Sequence, residues 1–117
     1  MSAQPEGQNG PLIPMPPLTP DDLRAAVARL TPDQLDDFDS TLRRAATQAQ
    51  ETSSLSPLRT FTQRWAVHIA VQRWPDRAAL LRELEYLAEH GSDEEVCRDA
   101  VTRIGQLLRT AREEIAT

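Results

Sequence analysis

Lysine is absent from this chain, and cysteine occurs once, at Cys97. A lone thiol excludes an internal disulfide and fits a reducing compartment. All thirteen basic residues are arginine, a bias that a GC-rich genome produces as readily as a need for bidentate pairing. Aromatic residues make up only 4%. A core must then be assembled from Leu, Ala, Val and Ile, which suits closely packed helices and serves a β-sandwich poorly. Glycine occurs four times, never as a glycine-rich phosphate loop. No apolar run reaches the length of a membrane span, and the opening MSAQPEGQNG lacks the basic segment of a secretory signal. The expected location is the cytoplasm.

What is present is the composition of a polar-surfaced globular protein: 117 residues, 39% hydrophobic, 26% charged, net charge −5. That length builds one hydrophobic core. Residues 1–17 hold five of the nine prolines and two of the four glycines. They are expected to form a disordered tail ahead of a domain at 18–117. Within the tail, PLIPMPP has the P-x-x-P spacing of a polyproline II ligand, but no flanking Arg fixes an orientation, and it reads as a spacer.

LTPDDL at position 18 is echoed by LTPDQL at position 30. Both are read as punctuation, with Thr19 and Thr31 as N-caps and Pro20 and Pro32 at the first helical position. Asp22 and Gln34 then occupy the capping-box position, while Leu18 with Leu23 and Leu30 with Leu35 are spaced as hydrophobic staples. The first helix has Leu23, Ala26, Val27 and Leu30 on its apolar face. The second, to about Gln50, has Leu35, Phe38, Leu42, Ala45 and Ala49, with Asp39 placed for an ion pair with Arg43. Ser56-Pro57 opens a third helix ending at Trp74. Leu58, Phe61, Trp65 and Ile69 lie on one side of it and Val67, Val71 and Trp74 on the other. A fourth runs from Pro75 to His90 and stops at Gly91. Ser92 and Glu95 form a capping box for a fifth, whose apolar face includes Val96, Cys97, Ala100, Val101, Ile104, Leu107, Leu108, Ala111 and Ile115. The expected fold is all-α, a compact bundle of about five helices behind a disordered Pro-rich N-terminal tail.

Candidate chemistry is sparse. Cys97 lies within an apolar stripe, where a thiol acts as a small hydrophobe. His68 borders the Trp65 face, and His90 sits at a helix C-terminus, where a cation is favoured. No H-x-x-x-H, E-x-x-H or C-x-x-C spacing occurs, so neither a metal site nor a cofactor is expected, and the protein is read as a non-enzyme. An acidic chain lacks the basic footprint that nucleic-acid binding requires.

The acidic residues are more informative. Glu83, Glu85, Glu89, Asp93, Glu94, Glu95 and Asp99 gather where the fourth helix meets the fifth, answered chiefly by Arg82 and Arg98. Tyr86 projects among them, over Arg82 or as an anchor for a basic partner. Glu85, Tyr86, Glu89, Asp93 and Glu94 are therefore the candidate partner-binding residues. The two-sided third helix offers Trp65, Val67, Val71 and Trp74 as a candidate interface, leaving homodimer and monomer as equal expectations.

The run DDFDSTLRRAATQAQETSSLSPLRTFTQRWAVHIA resembles small actinobacterial proteins of unknown function, in which an acid-and-Phe helix precedes an SLxPL turn and an RW or WW helix. The likeness extends from Leu35 to about Arg82, with Phe38, Leu55, Pro57, Leu58 and Trp65 at its recognisable positions. Thr-Gln-Arg-Trp stands where a second tryptophan is often found, and Ser53 where Phe is usual. Such proteins are sometimes encoded beside RelE/ParE-type toxins. The resemblance implies an antitoxin-like or accessory role. The expected function is a non-enzymatic protein-interaction module binding a basic protein partner; the alternative is a dimeric DNA-binding transcriptional regulator.

Overall fold

The structure, a computed structural model, describes residues 10–116. Five helices follow one another: α1 (Pro20–Leu30), α2 (Leu35–Thr52), α3 (Ser56–Gln72), α4 (Pro75–His90) and α5 (Glu94–Ala116), with a 3-10 turn at Pro32–Gln34 between the first two. Among the described residues there is no strand, and no helix is long and apolar enough to cross a membrane. The chain is therefore all-α, as its patterning predicts.

Two compact units divide the described residues, one formed by residues 13–69 and the other by residues 70–116 with residues 10–12. In the first, Leu23, Ala26 and Val27 of α1 are buried with Phe38 and Ala45 of α2 and Phe61, Trp65 and Ile69 of α3. The Phe38 ring meets Phe61 edge-on at 5.0 Å and Trp65 edge-on at 5.1 Å, the offset geometry that ring quadrupoles prefer. Three aromatics thus form the centre of a core whose remainder is aliphatic. Burying each large side chain contributes about 1.5–3 kcal/mol.

In the second unit α4 and α5 pack side by side as a helical hairpin, with Ala78, Leu84, Ala100 and Ala111 buried. Small residues at three of these four positions permit close approach of the helices.

Of the expected tail, residues 1–9 lie outside the described residues. Residues 10–17 form no helix, as their prolines require, yet they are tethered. The Leu12 N–H donates to the Arg73 carbonyl at 2.7 Å, and Ile13 and Met15 pack against the first unit's core. An extended segment can still bury side chains when apolar residues punctuate its prolines.

The two threonine caps differ. Thr19 accepts from the Asp22 N–H at 3.2 Å and donates to the Asp22 carboxylate at 2.6 Å, a reciprocal cap. Thr31 makes no cap bond. It ends α1 by donating its N–H to the Val27 carbonyl, and its hydroxyl shares a 3.0 Å hydrogen bond with His68 Nε2. The Gln34 N–H closes onto the Thr31 carbonyl instead, so a 3-10 turn precedes α2, which begins three residues later than its cap motif predicts.

Other expectations are corrected in the same way. Asp39 pairs with Arg24 of α1, through two bonds of 2.8 and 2.9 Å, rather than with Arg43. That pairing holds the Asp39 carboxyl below its ordinary range, because a planar guanidinium satisfies both oxygens at once. The cap of α5 is Asp93, which accepts from the Val96 N–H at 2.8 Å, and not Ser92. Gly91 stops α4 with φ −57°, outside the left-handed region. Its need for glycine is space: a Cβ there would stand 2.7 Å from the Leu87 carbonyl oxygen and 2.9 Å from Cys97 Sγ.

Candidate functional site

Helix α4 presents one apolar stripe, so the residues between its core positions face water. Glu85, Tyr86 and Glu89 are all exposed there, and so are Asp93 and Glu94 where α5 begins. Glu83, Glu95 and Asp99 are exposed beside them. Among the described residues only Glu94 of this group is in an ion pair, a 3.5 Å contact with the exposed Arg98 one turn along α5. Exposed pairs of this kind are weak. The corner is thus a solvated concentration of negative charge.

Tyr86, 62% exposed, stands in its midst. The ring does not lie over Arg82 as the sequence allowed; it stacks on His90 at 4.5 Å, the planes inclined by 22°. His90 is steadied in turn by its Nδ1, 3.2 Å from the Tyr86 carbonyl oxygen. An i,i+4 aromatic pair is readable in a sequence, but the arginine at i−4 competes for the same ring, and only coordinates choose between them. The outcome is a largely exposed tyrosine whose ring rests on a neighbour, a contact that lowers the entropy lost when a partner immobilises it.

Of the candidate interface around α3, two of the four side chains are buried within the single chain. Trp65 is 2% and Val71 1% exposed within the single chain, and Val67 and Trp74 are half-buried. Trp65 belongs to the aromatic centre of the first unit, whereas Val71 and Trp74 belong to the second.

A polar cluster that sequence reading missed lies in the second unit. Glu114 accepts from Arg73 at 2.7 Å, from the Trp74 indole N–H at 3.3 Å and from Arg77 at 3.1 Å. Both guanidinium groups lie over the Trp74 ring, at 5.1 and 5.6 Å. Burial works against ionisation of Glu114, but the hydrogen bonds from Arg73, Arg77 and Trp74 outweigh it and hold its pKa below the usual carboxylate value. Arg77 also donates to the Ala70 carbonyl at 3.0 Å. Contacts spanning some forty residues leave no periodic trace in a sequence. The cluster fastens the last turn of α5 to the α3–α4 junction, and each charged group in it is already engaged.

The remaining reactive side chains are also occupied structurally. His68 is half-buried, bonded to Thr31 and edge-on to Trp65 at 5.2 Å. Cys97 is half-buried, with Sγ 3.8 Å from the Gly91 carbonyl oxygen. Between α4 and α5 runs an open groove of about 420 Å³ lined by Leu80, Leu84 and Leu107 together with Arg77 and Arg103. Asp76, Gln106 and Thr110 complete its lining, and the Thr110 hydroxyl donates to the Gln106 carbonyl at 3.1 Å. Among the described residues no three His, Cys, Asp or Glu side chains are grouped to hold a metal ion.

No curated protein and no solved structure matches the chain. One family does, over residues 14–114, which include all five helices down to the Glu114 latch and the whole acidic corner. The chain is a member of that family, the family of unknown function DUF6247.

Proposed function

We propose that the protein is a non-enzymatic interaction module that binds a basic protein partner through the α4/α5 corner, in an antitoxin-like or accessory regulatory role. One observation carries the reading: an oriented, largely exposed Tyr86 stands among seven exposed carboxylates, of which one is ion-paired. Uncompensated charge of one sign steers an oppositely charged partner and speeds encounter, and a fixed aromatic ring supplies a buried anchor once the partner arrives. The engagement of His68, Cys97 and Glu114 in structural bonds favours binding over catalysis. The likeness to actinobacterial proteins encoded beside RelE/ParE-type toxins suggests a class for the partner, since a basic ribonuclease-like or gyrase-directed toxin has the complementary charge.

The test is co-expression with the products of the flanking genes, followed by copurification and by titration of the purified pair. A basic neighbour that copurifies with the wild type and is lost with the Tyr86→Ala, Glu89→Arg double variant upholds the proposal. Copurification indifferent to that variant refutes the corner. The rival reading, a dimeric DNA-binding regulator, predicts salt-dependent retardation of the promoter fragment upstream of its own gene; a chain that binds this fragment but no neighbour would replace the proposal with the rival.

A further inference from the structure

Helix α5 has a second seam, along the flank of its core side. Glu94, Arg98, Val101, Gly105, Leu108 and Arg112 follow at alternating steps of four and three, the spacing that keeps one line of side chains facing a partner helix. All are exposed except Leu108, which is half-buried. Two of them are out of place on a solvated face. Val101 is 58% exposed although its type and position predicted core. Gly105 weakens the helix interior, and nothing within 4 Å of its missing Cβ explains why. A glycine opposite a β-branched knob is what a close helix crossing requires.

The charges along the seam decide the occupant. When α5 is laid antiparallel on a second α5 with the two-fold axis at the level of residue 103, Val101 of each copy faces Gly105 of the other. Glu94 of each then faces Arg112 of the other. These ends lie about 27 Å apart along the helix, at 1.5 Å per residue. Arg98 lays its aliphatic stem along Leu108. Every group on the seam is thereby answered by another group on the same seam, which is the condition of an isologous contact.

We propose that this face of α5 is a homodimer interface, with Val101 seated on Gly105 across a two-fold axis and Glu94–Arg112 pairs closing both ends. It replaces α3 as the surface through which two copies meet. The proposal does not rest on the partner-binding reading, since the two surfaces share only Glu94, and Glu85, Tyr86 and Glu89 stay free on α4. One helix per subunit places the contact at the small end of specific interfaces, so the dimer is expected to be concentration-dependent.

Sedimentation equilibrium of the full chain, from low micromolar to several hundred micromolar, tests it. The wild type is expected to pass from monomer to dimer over that range. Glu94→Arg and Arg112→Glu, each of which sets like charges against each other at both ends, are expected to raise the dissociation constant about tenfold, and the double swap to restore it to within about threefold. Gly105→Leu is expected to abolish the dimer while leaving helicity intact, because its side chain enters open space in the monomer. Tyr86→Ala with Glu89→Arg should leave the dimer unchanged, whatever it does to partner binding. A wild type that stays monomeric overturns the proposal. So does a dimer that tolerates Gly105→Leu, or one that the single charge swaps weaken and the double swap does not restore.

Discussion

The indole N–H of Trp65 donates to the Thr41 hydroxyl at 3.0 Å, between two side chains that are 2% and 9% exposed. The same hydroxyl donates to the backbone, lying 2.9 Å from the Asp37 carbonyl oxygen and 3.0 Å from that of Phe38. One polar atom on α2 therefore satisfies the only donor on the largest side chain of the core. Thr41→Val preserves shape and removes the acceptor, which strands the indole N–H. The expected loss is about 1–3 kcal/mol, read as a lower urea midpoint with an unchanged m value. A loss under about 0.5 kcal/mol would mean that Trp65 finds water or another acceptor.

His68 imposes a pH dependence. Burial pushes its pKa below 6.5, Arg64 adds repulsion, and Asp33 and Asp37 pull weakly the other way. An unfolded chain then binds more protons than the folded one between about 6.5 and the lower folded value. Stability from the neutral ring is complete above that window and declines as pH falls into it. The melting temperature of the wild type should drop more between about pH 7 and pH 5 than that of His68→Gln, whose amide keeps a partner for Thr31 and cannot charge. Parallel acid profiles for the two proteins would refute this assignment.

The two glycines of the helical region should respond with opposite sign to the same change. At Gly91 the added methyl meets Leu87 and Cys97 inside 3.0 Å, and Gly91→Ala should cost about 1–3 kcal/mol through forced displacement. At Gly105 there is open space, and Gly105→Ala should gain up to about 1 kcal/mol of helix propensity in the monomer. Thermal unfolding at dilute concentration checks both.

Glu114→Gln keeps one carbonyl acceptor but removes the charge that Arg73 and Arg77 share. Glu114 retains 29% of its side-chain exposure, so solvent screening limits the effect to about 1–2 kcal/mol. The carboxylate contributes most above its unfolded pKa of about 4.5, and its contribution is lost as pH falls through the lower folded value. The deficit of the variant should accordingly shrink toward low pH. Loss of protection in the last turns of α5, measured by hydrogen exchange, would locate the change at the latch.

Much of the fold was legible because its signals are local. Prolines at 20 and 75 start helices where they should, and the stripe Leu23, Ala26, Val27 is buried as its spacing requires. Phe38, Ala45, Phe61 and Trp65 are core for the same reason. Asp93, Thr31 and Val101 depart from the sequence reading because each position has two adequate roles. Ser92 and Asp93 are both good caps one residue apart, and Thr31 has both a cap to offer and a histidine to meet. Val101 lies at the margin of a broad apolar face, where a rotation of some tens of degrees about the helix axis decides between core and water.

The sequence by itself determined that this is a helical protein, where its helices begin and end to within a few residues, and that its negative charge concentrates around residues 83–99. These properties depend on neighbours within one or two turns, so periodicity and caps encode them. Tertiary structure decided which apolar faces were spent internally, removing Trp65 and Val71 from any surface. It set Tyr86 on His90, gave Thr31 to His68, and gathered Arg73, Trp74 and Arg77 around Glu114. Those choices join residues far apart along the chain, or pick between local partners of nearly equal merit, and a one-dimensional pattern carries no record of which helix faces meet.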